Sequence, residues 1–143
     1  MAVLVDTNVL VYRFDARFPE KQAIAVDTLR QGIRDESIRV PHQAILEFVA
    51  ASTRPLKHGR PILDLADARR EAEEMLRQFP VLYPTEETIR TALRGSATYQ
   101  LSWFDAHLWA YAEVNGLETI LSEDFEHGRY YGSVRTIDPF ASV

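Results

Sequence analysis

The chain has 143 residues, of which 46% are hydrophobic and 26% are charged, and its net charge is −5. This size suits one compact domain with its own core, so we expect a single domain over residues 1–143. Cysteine is absent, which excludes disulfides, thiolate metal sites and thiol nucleophiles. No apolar stretch reaches the roughly 20 residues that span a bilayer, and residues 1–5 lack the basic flank of a signal peptide. We therefore expect a soluble, cytoplasmic protein with no membrane partner.

Short apolar strands alternate with longer helical patterns along the chain. In chain order, we predict a strand at 3–6, a short helix from Thr7 or Asn8, a helix at 19–32, a strand at 38–40, helices at 42–53 and 61–78, a strand at 81–83, helices at 85–97 and 103–115, and strands at 117–121 and 134–137. Pro19 and Pro61 suit the first turn of a helix. This order predicts an α/β fold with three layers, in which helices cover both faces of a short parallel sheet of about five strands.

Acidic residues directly follow two of the predicted strands. Val3-Leu4-Val5 leads into Asp6, and Thr119-Ile120-Leu121 leads into Ser122-Glu123-Asp124. Ligands of parallel sheets bind at the carboxyl ends of the strands, which favours a site at these acids. Asp6 also fits a helix cap, because a carboxylate there accepts backbone N–H bonds. Strand alternation leaves open whether Glu123 or Asp124 is the working acid.

Two further acids lie on predicted helices. Asp105 has the spacing of a capping box with Ser102, but it also shares a helix face with apolar residues such as Leu108. A carboxylate on an apolar face must be paired, coordinated or protonated, because burying a lone charge is costly. Glu47 lies nearly opposite the apolar face of its own helix, where a solvated surface glutamate is the ordinary expectation.

Histidines offer no metal site in this sequence. No pair of them has the spacing of a zinc site. We expect His107 at the surface, because it falls away from the Asp105 face of its helix. His127 lies in a turn after the last acid, where a role in stabilising the turn is expected before a catalytic one.

Four segments together resemble the PIN-domain ribonucleases, and most closely the VapC-type toxins of bacterial toxin–antitoxin pairs. They are residues 3–10, residues 44–48 around Glu47, residues 101–106 around Asp105, and residues 121–125. Each motif is short, but their joint order spans nearly the whole chain, and Thr53-Arg54-Pro55 is also similar to members of this family. The resemblance implies a PIN-like fold and an endoribonuclease that hydrolyses RNA phosphodiester bonds.

The resemblance also implies which residues form the site. Asp6, Glu47, Asp105 and Asp124 are expected to converge at the carboxyl edge of the sheet and to hold one or two Mg²⁺ or Mn²⁺ ions. Hard cations prefer oxygen ligands, and they activate water for attack on phosphorus. Asp6 is expected as the central ligand with Asp105 beside it, while the other two acids act through water. The side chains expected to orient these carboxylates are those of Thr7, Asn8 and Ser122.

Basic residues near the acids are candidate RNA contacts. Arginine forks bind phosphate well, although a solvated loop explains the basic stretch at 54–60 equally well. The candidates are Arg13, Arg54, Lys57, Arg60 and Arg129, with Arg17, Tyr130 and Tyr131 nearby. A net charge of −5 argues against nucleic acid unless bound cations neutralise some of the acids. By resemblance, a cognate antitoxin and a second copy of the chain are also expected as partners, on apolar surface at residues 24–33 or 63–76.

Two other functions fit parts of the pattern. A phosphatase or phosphoacceptor domain also places an Asp after its first strand, as nucleophile, but Asn8 breaks the Asp-x-Asp pattern. Such sites also need a lysine, and neither Lys21 nor Lys57 follows a strand. The second alternative is a catalytically degenerate PIN-like module that binds RNA or protein. Retention of all four acids argues against it, since clustered carboxylates repel one another.

Overall fold

The computed structural model describes the whole chain, residues 1–143. The helices are α1 Thr7–Tyr12, α2 Pro19–Asp35, α3 His42–Thr53, α4 Leu65–Gln78, α5 Glu86–Tyr99 and α6 Trp103–Val114. The strands are β1 Val3–Val5, β2 Ile38–Pro41, β3 Val81–Leu82, β4 Thr119–Leu121, β5 Tyr130–Tyr131 and β6 Val134–Ile137. None of the helices combines the length and the apolar character that crossing a membrane requires.

All strands lie in one sheet of order β3-β2-β1-β4-β6-β5. The first five in that order run parallel, and β5 pairs antiparallel with β6. From β1 the chain proceeds to one side through β2 and to the other side through β4. Crevices at such a reversal of strand order bind ligands beyond the carboxyl ends of the strands. Asp6 and Ser122 follow the two strands that flank this crevice.

Two apolar clusters pack against opposite faces of the sheet. Leu4 belongs to the cluster under α5 and α6, together with Trp109. Val5 belongs to the cluster under α1 to α4, together with Phe48 and Met75. Neighbouring residues of a strand point to opposite faces, so β1 contributes to both clusters. The predicted three-layer α/β/α architecture is therefore confirmed.

The sheet has six strands, one more than the predicted number of about five. The additional strand, β5, has only two residues, too few to produce a recognisable alternation in the sequence. Tertiary contacts hold it: the Trp109 Nε1 donates to the Tyr131 carbonyl at 3.0 Å, and the Tyr131 ring packs edge-on against Phe125. Tyr131 is buried in the core, so its ring is not available to stack on an RNA base.

The two largest differences between predicted and observed helix ends have local reasons. Helix α4 begins at Leu65 and not at Pro61, because the Asp64 carboxylate accepts from the Asp67 amide at 2.7 Å and caps the helix there. Helix α2 continues past Gly32 to Asp35. A Cβ at position 32 would lie 2.1 Å from the Ile38 Cδ1, so this glycine provides space for β2 and does not end the helix.

Candidate active site

Asp6 occupies the centre of the carboxyl edge, where β1 passes into α1. Its backbone amide extends the sheet by donating to the Leu121 carbonyl at 3.0 Å, and its Oδ1 accepts from the Thr7 amide at 2.6 Å. The side chain is 7% exposed. Burial raises the pKa of Asp6 to about 7, although the Ser122 hydroxyl and the Thr7 amide lower it, and the charges of Asp124 and Glu47 raise it further. The predicted helix cap forms, and the same carboxylate is held at the site.

The turn after β4 is joined to Asp6 by a compact hydrogen-bond network. The buried Ser122 Oγ donates to the Asp6 Oδ2 at 2.6 Å and accepts from the Asp124 amide at 3.0 Å. The Asn8 Nδ2 lies 3.3 Å from the Asp6 Oδ2 and 3.3 Å from the Asp124 Oδ2. It is also 3.2 Å from the Ser122 Oγ. Asn8 therefore contacts both carboxylates, and Ser122 links the Asp6 carboxylate to the Asp124 backbone.

Glu123 has different partners from its neighbour Asp124. Its carboxylate accepts from the Tyr12 hydroxyl at 2.8 Å and from the Lys21 Nζ at 3.0 Å. The Lys21 ammonium also lies 4.9 Å from the centre of the Tyr12 ring. Lys21 therefore reaches the carboxyl edge from α2, which was not evident from its position in the sequence. The geometry pairs Glu123 with a cation and leaves Asp124 with Asn8 beside Asp6.

Glu47 lies on α3 and is half-buried, in contrast to the solvated position expected from helix periodicity. One carboxylate oxygen accepts from the Thr7 Oγ1 at 2.7 Å, and the other accepts from the Gln43 Nε2 at 3.0 Å. Gln43 also lies 3.2 Å from the carbonyl of Phe104, directly before Asp105. Helix periodicity shows only which face of α3 packs on the core. It does not reveal that α1 and α6 also cover Glu47.

Asp105 lies in the first turn of α6 and is half-buried. The Ser102 Oγ accepts from the Asp105 amide at 3.2 Å, but the reciprocal bond of a capping box, from the Ser102 amide to the Asp105 carboxylate, does not form. Burial raises the pKa of Asp105, and the charges of Asp124 and Glu47 raise it further, against the effect of the Ser102 hydroxyl. The charges of Asp124 and Glu47 thus act on the Asp105 carboxylate across the gap between the helices and the turn after β4.

The four acids form one electrostatic cluster at the carboxyl edge. The charges of Asp124 and Glu47 raise the pKa of both Asp6 and Asp105, so the electrostatic influence of these two acids reaches both residues. The structure contains no group of three or more His, Asp or Glu side chains already arranged as ligands of one metal ion. The four acids are therefore linked as neighbouring charges, and their convergence on a common metal ion stays a prediction.

The candidate RNA contacts are distributed unevenly around this cluster. Arg54 lines a groove together with Asn8 and Asp124, and Lys57 and Arg60 line the adjoining groove at the loop after α3. Arg13 instead packs on Phe14 and donates to Gln78 of α4, with two guanidinium nitrogens buried and without partners. Burial lowers the pKa of Arg13. Arg129 is paired with Glu126 and covers the ring of Tyr131.

Neither histidine near the motifs joins the acids. The His127 Nδ1 accepts from the Asp138 amide at 2.9 Å, so His127 links the turn after β4 to the segment after β6. His107 is half-buried and not at the open surface as expected, because its ring packs edge-on against Trp103 at 4.6 Å. Burial lowers the pKa of His107.

A model of the PIN domain family matches residues 3–132, a span that contains all four acids. The chain belongs to the PIN domain family. No curated protein sequence matches the chain. The match extends over β1 to β5, so the carboxyl edge described above is the corresponding edge of a PIN domain.

Solved structures share this PIN fold at low sequence identity. DNA-bound VapBC from Salmonella typhimurium superposes with a TM-score of 0.72 at 11% identity, covering 97% of this chain and 98% of that chain. A toxin–antitoxin complex from Klebsiella pneumoniae superposes with a TM-score of 0.68 at 15% identity, covering 96% of this chain and 98% of that chain. Mycobacterium tuberculosis VapC20, a sarcin-ricin loop cleaving toxin, superposes with a TM-score of 0.60 at 16% identity, covering 86% of this chain and 90% of that chain. At these identities the likeness shows a common fold.

Proposed function

We propose that this PIN domain is a divalent-metal-dependent endoribonuclease and the VapC-type toxin of a toxin–antitoxin pair. One observation carries the proposal: acids from four separate segments act on one another electrostatically at the carboxyl edge of a PIN fold, and three of them, Asp6, Glu47 and Asp124, accept hydrogen bonds from Thr7, Asn8 or Ser122. The VapBC complexes and the RNA-cleaving VapC20 among the structural relatives support this assignment.

The chemistry of the donors fits a bound Mg²⁺ or Mn²⁺. The cluster offers carboxylate oxygens alone, without cysteine, which is the donor type that hard cations prefer. Its buried Asp6 has a pKa raised to about 7, and a neighbouring cation would favour the ionised form. When bound, such an ion supplies a water of lowered pKa and stabilises negative charge on phosphate oxygens.

The residues of the chain would have distinct tasks in this reaction. Asp6, the most buried acid of the cluster, would hold the ion directly, with Asp105 beside it. Asp124 and Glu47 would bind it through water or orient the attacking water. We assign the fourth position to Asp124, since Glu123 is already paired with Lys21. Thr7, Asn8 and Ser122 fix the carboxylates by hydrogen bonds, a role that typically affects activity about 10–100-fold in metal sites.

The test is incubation of the purified protein with total RNA in the presence of Mg²⁺, Mn²⁺ or EDTA. We expect cleavage with either metal, none in EDTA, and none with Asp6→Asn. Asp27→Asn, an exposed aspartate of α2, is the matched control and should cleave as the wild type does. Cleavage that persists in EDTA or survives Asp6→Asn would contradict the metal mechanism. RNA binding without any cleavage would favour the catalytically degenerate module instead.

Partner proteins are the second part of the proposal. We propose an antitoxin and a homodimer as partners, in the cytoplasm. Apolar side chains of α2 are mostly covered, contrary to expectation, whereas Leu65 and Leu76 of α4 are about half exposed. A hollow of about 400 Å³ also opens between α3, α5 and α6, beside exposed Leu46 and Phe104. Light scattering of the purified chain should give twice the monomer mass, and a monomer would contradict the homodimer.

A further inference from the structure

A groove leads away from the acid cluster toward the loop at residues 54–61. Its inner part has a volume of about 360 Å³, and its lining includes Asn8 and Asp124 together with Arg17 and Arg54. Its outer part has a volume of about 540 Å³ and contains Lys57 and Arg60. Arg17 lines both parts, so its guanidinium stands at their junction.

Arg17 is held in place by a buried carboxylate. Asp15 is 3% exposed, and its two oxygens accept from the Arg17 Nε at 2.9 Å and from the Arg17 Nη2 at 2.8 Å. The Arg17 backbone amide also donates to Asp15 at 3.2 Å. About half of the Arg17 side chain remains exposed, so the guanidinium has free N–H groups directed at solvent in a fixed position. A guanidinium fixed in this way loses little conformational entropy when it binds an anion.

The outer part of the groove is positively charged, opposite in sign to the chain as a whole. The whole protein has a net charge of −5, but residues 54–63 contain three cationic side chains and no acid. Arg54, Lys57 and Arg60 are exposed and form no salt bridge. The loop is closed on itself by a bond from the Leu56 amide to the Arg60 carbonyl at 3.0 Å, which keeps the cations together.

An exposed aromatic ring adjoins the same groove. Phe18 lines its inner part and is 43% exposed. The Arg17 guanidinium lies 5.2 Å from the centre of this ring, and Tyr12 packs edge-on against it at 5.8 Å. Grooves that combine backbone-binding cations with an aromatic ring for base stacking are typical of sites for single-stranded nucleic acid.

We propose that this groove binds the phosphate backbone of a single RNA strand, with Arg17 and Arg54 as phosphate ligands and Phe18 as a stacking surface for one base. The inference rests on the proposed function, since it supplies the path by which a strand reaches the acids. The cations continue from the acid cluster outward, as the backbone of a bound strand would. An acidic peptide would satisfy the cations but would leave the aromatic surface unused.

The test is the affinity of a fluorescent 12-nucleotide single-stranded RNA, measured by anisotropy in EDTA over a range of salt concentrations. We expect Arg17→Gln to weaken binding about 5–20-fold and to reduce the salt slope by about 0.7, which corresponds to one phosphate contact fewer on a single strand. Arg17→Lys should restore the salt slope and part of the affinity. Arg90→Gln is the matched control, because Arg90 is also exposed and ion-paired but lies on α5.

Three results would overturn the inference. They are absence of RNA binding by the wild type, equal affinities of Arg17→Gln and Arg90→Gln, and binding of a labelled polyglutamate peptide as tight as RNA with the same dependence on Arg17. If Arg17→Gln weakened RNA binding only by misfolding, its melting temperature would fall while the salt slope of the folded fraction stayed unchanged. Binding is measured in EDTA, where we expect no cleavage, so the proposed function is tested separately. If the protein cleaves RNA in Mg²⁺ but its RNA affinity does not depend on Arg17, only the proposed groove is refuted. If RNA affinity depends on Arg17 but no cleavage occurs in Mg²⁺, only the proposed nuclease activity is refuted.

Discussion

The acids of the site come in two pairs that are held in different ways. The strand pair, Asp6 and Asp124, follows β1 and β4, and Ser122 and Asn8 connect its two members by hydrogen bonds. The helix pair, Glu47 and Asp105, is carried by α3 and α6, and Gln43 connects the Glu47 carboxylate with the backbone carbonyl next to Asp105. The strand pair is thus fixed by the sheet and the turns at its edge. The helix pair depends on how two helices pack over that edge.

This difference implies that the two pairs respond to different perturbations. Changes at the sheet edge should act locally, on one carboxylate or one turn. Changes in helix packing should move the helix pair without touching the strand pair. Thr7 connects the two pairs, because its backbone amide donates to Asp6 and its hydroxyl donates to Glu47.

The largest expected effect is on the free energy of unfolding, and it distinguishes the buried Asp6 from the exposed Asp124 of the strand pair. The pKa of the buried Asp6 is raised to about 7, so its stabilising contribution is complete below about pH 4 and is lost as the pH rises to about 7. In EDTA at pH 8, Asp6→Asn should therefore increase the free energy of unfolding by roughly 2–4 kcal/mol, and by much less at pH 4. Urea denaturation at both pH values measures this, with the exposed Asp124→Asn as control. Equal stability of Asp6→Asn and wild type at pH 8 would refute the burial argument.

The next effect breaks the connection between the pairs. Thr7→Val keeps the shape of the side chain but removes the hydroxyl that donates to Glu47 at 2.7 Å. We expect cleavage to fall by about 10–100-fold, as for other residues that orient acids in metal sites. The KM for RNA should stay within about twofold, because Thr7 lies at the acids and not at the basic loop. A variant with unchanged kcat would show that Glu47 needs no orientation.

A third variant disturbs the helix pair alone. Gly95 of α5 faces Trp109 of α6, and a Cβ at position 95 would lie 2.3 Å from the Trp109 ring. Gly95→Ala should therefore lower the free energy of unfolding by about 1–3 kcal/mol and reduce cleavage, because α6 also carries Asp105. Thermal denaturation measures the first effect, and Thr98→Ala at an exposed position of the same helix is the control. Unchanged stability would contradict the close packing of α5 on α6.

The smallest expected effect concerns the turn of the strand pair. Lys21→Met removes the ion pair with Glu123, whose side chains are 26% and 24% exposed. We expect less than about 1 kcal/mol of lost stability, because partly exposed ion pairs contribute little. Cleavage should fall a few-fold as the turn next to Asp124 loosens. Glu123→Gln, which keeps an acceptor for Tyr12, should lose less activity, and complete inactivation of Glu123→Gln would make Glu123 itself a working acid.

Sequence patterns predicted the strand pair better than the helix pair. A carboxylate directly after a buried strand has its place fixed by the strand, which made the positions of Asp6 and of the Ser122 turn predictable. Asp105 was predicted from its apolar helix face. Glu47 rested on family resemblance alone, since its burial arises from α1 and α6, which periodicity within α3 cannot reveal.

Contacts between distant segments account for most of what the sequence did not predict. The choice between Glu123 and Asp124 depends on Lys21, which reaches the turn from 102 residues away in the chain. Strand β5 depends on the indole of Trp109, and the fixed position of Arg17 depends on the burial of Asp15. None of these pairings leaves a periodic signal, because each depends on the tertiary fold.

The central claim is that the four acids form one site for a divalent cation. Isothermal titration calorimetry of the wild type with Mn²⁺ tests this claim most directly. We expect Mn²⁺ binding that is abolished by Asp6→Asn, weakened by Asp105→Asn and retained by Glu123→Gln and by the distant Asp27→Asn. Absence of Mn²⁺ binding to the wild type, or equal binding by Asp6→Asn, would contradict it.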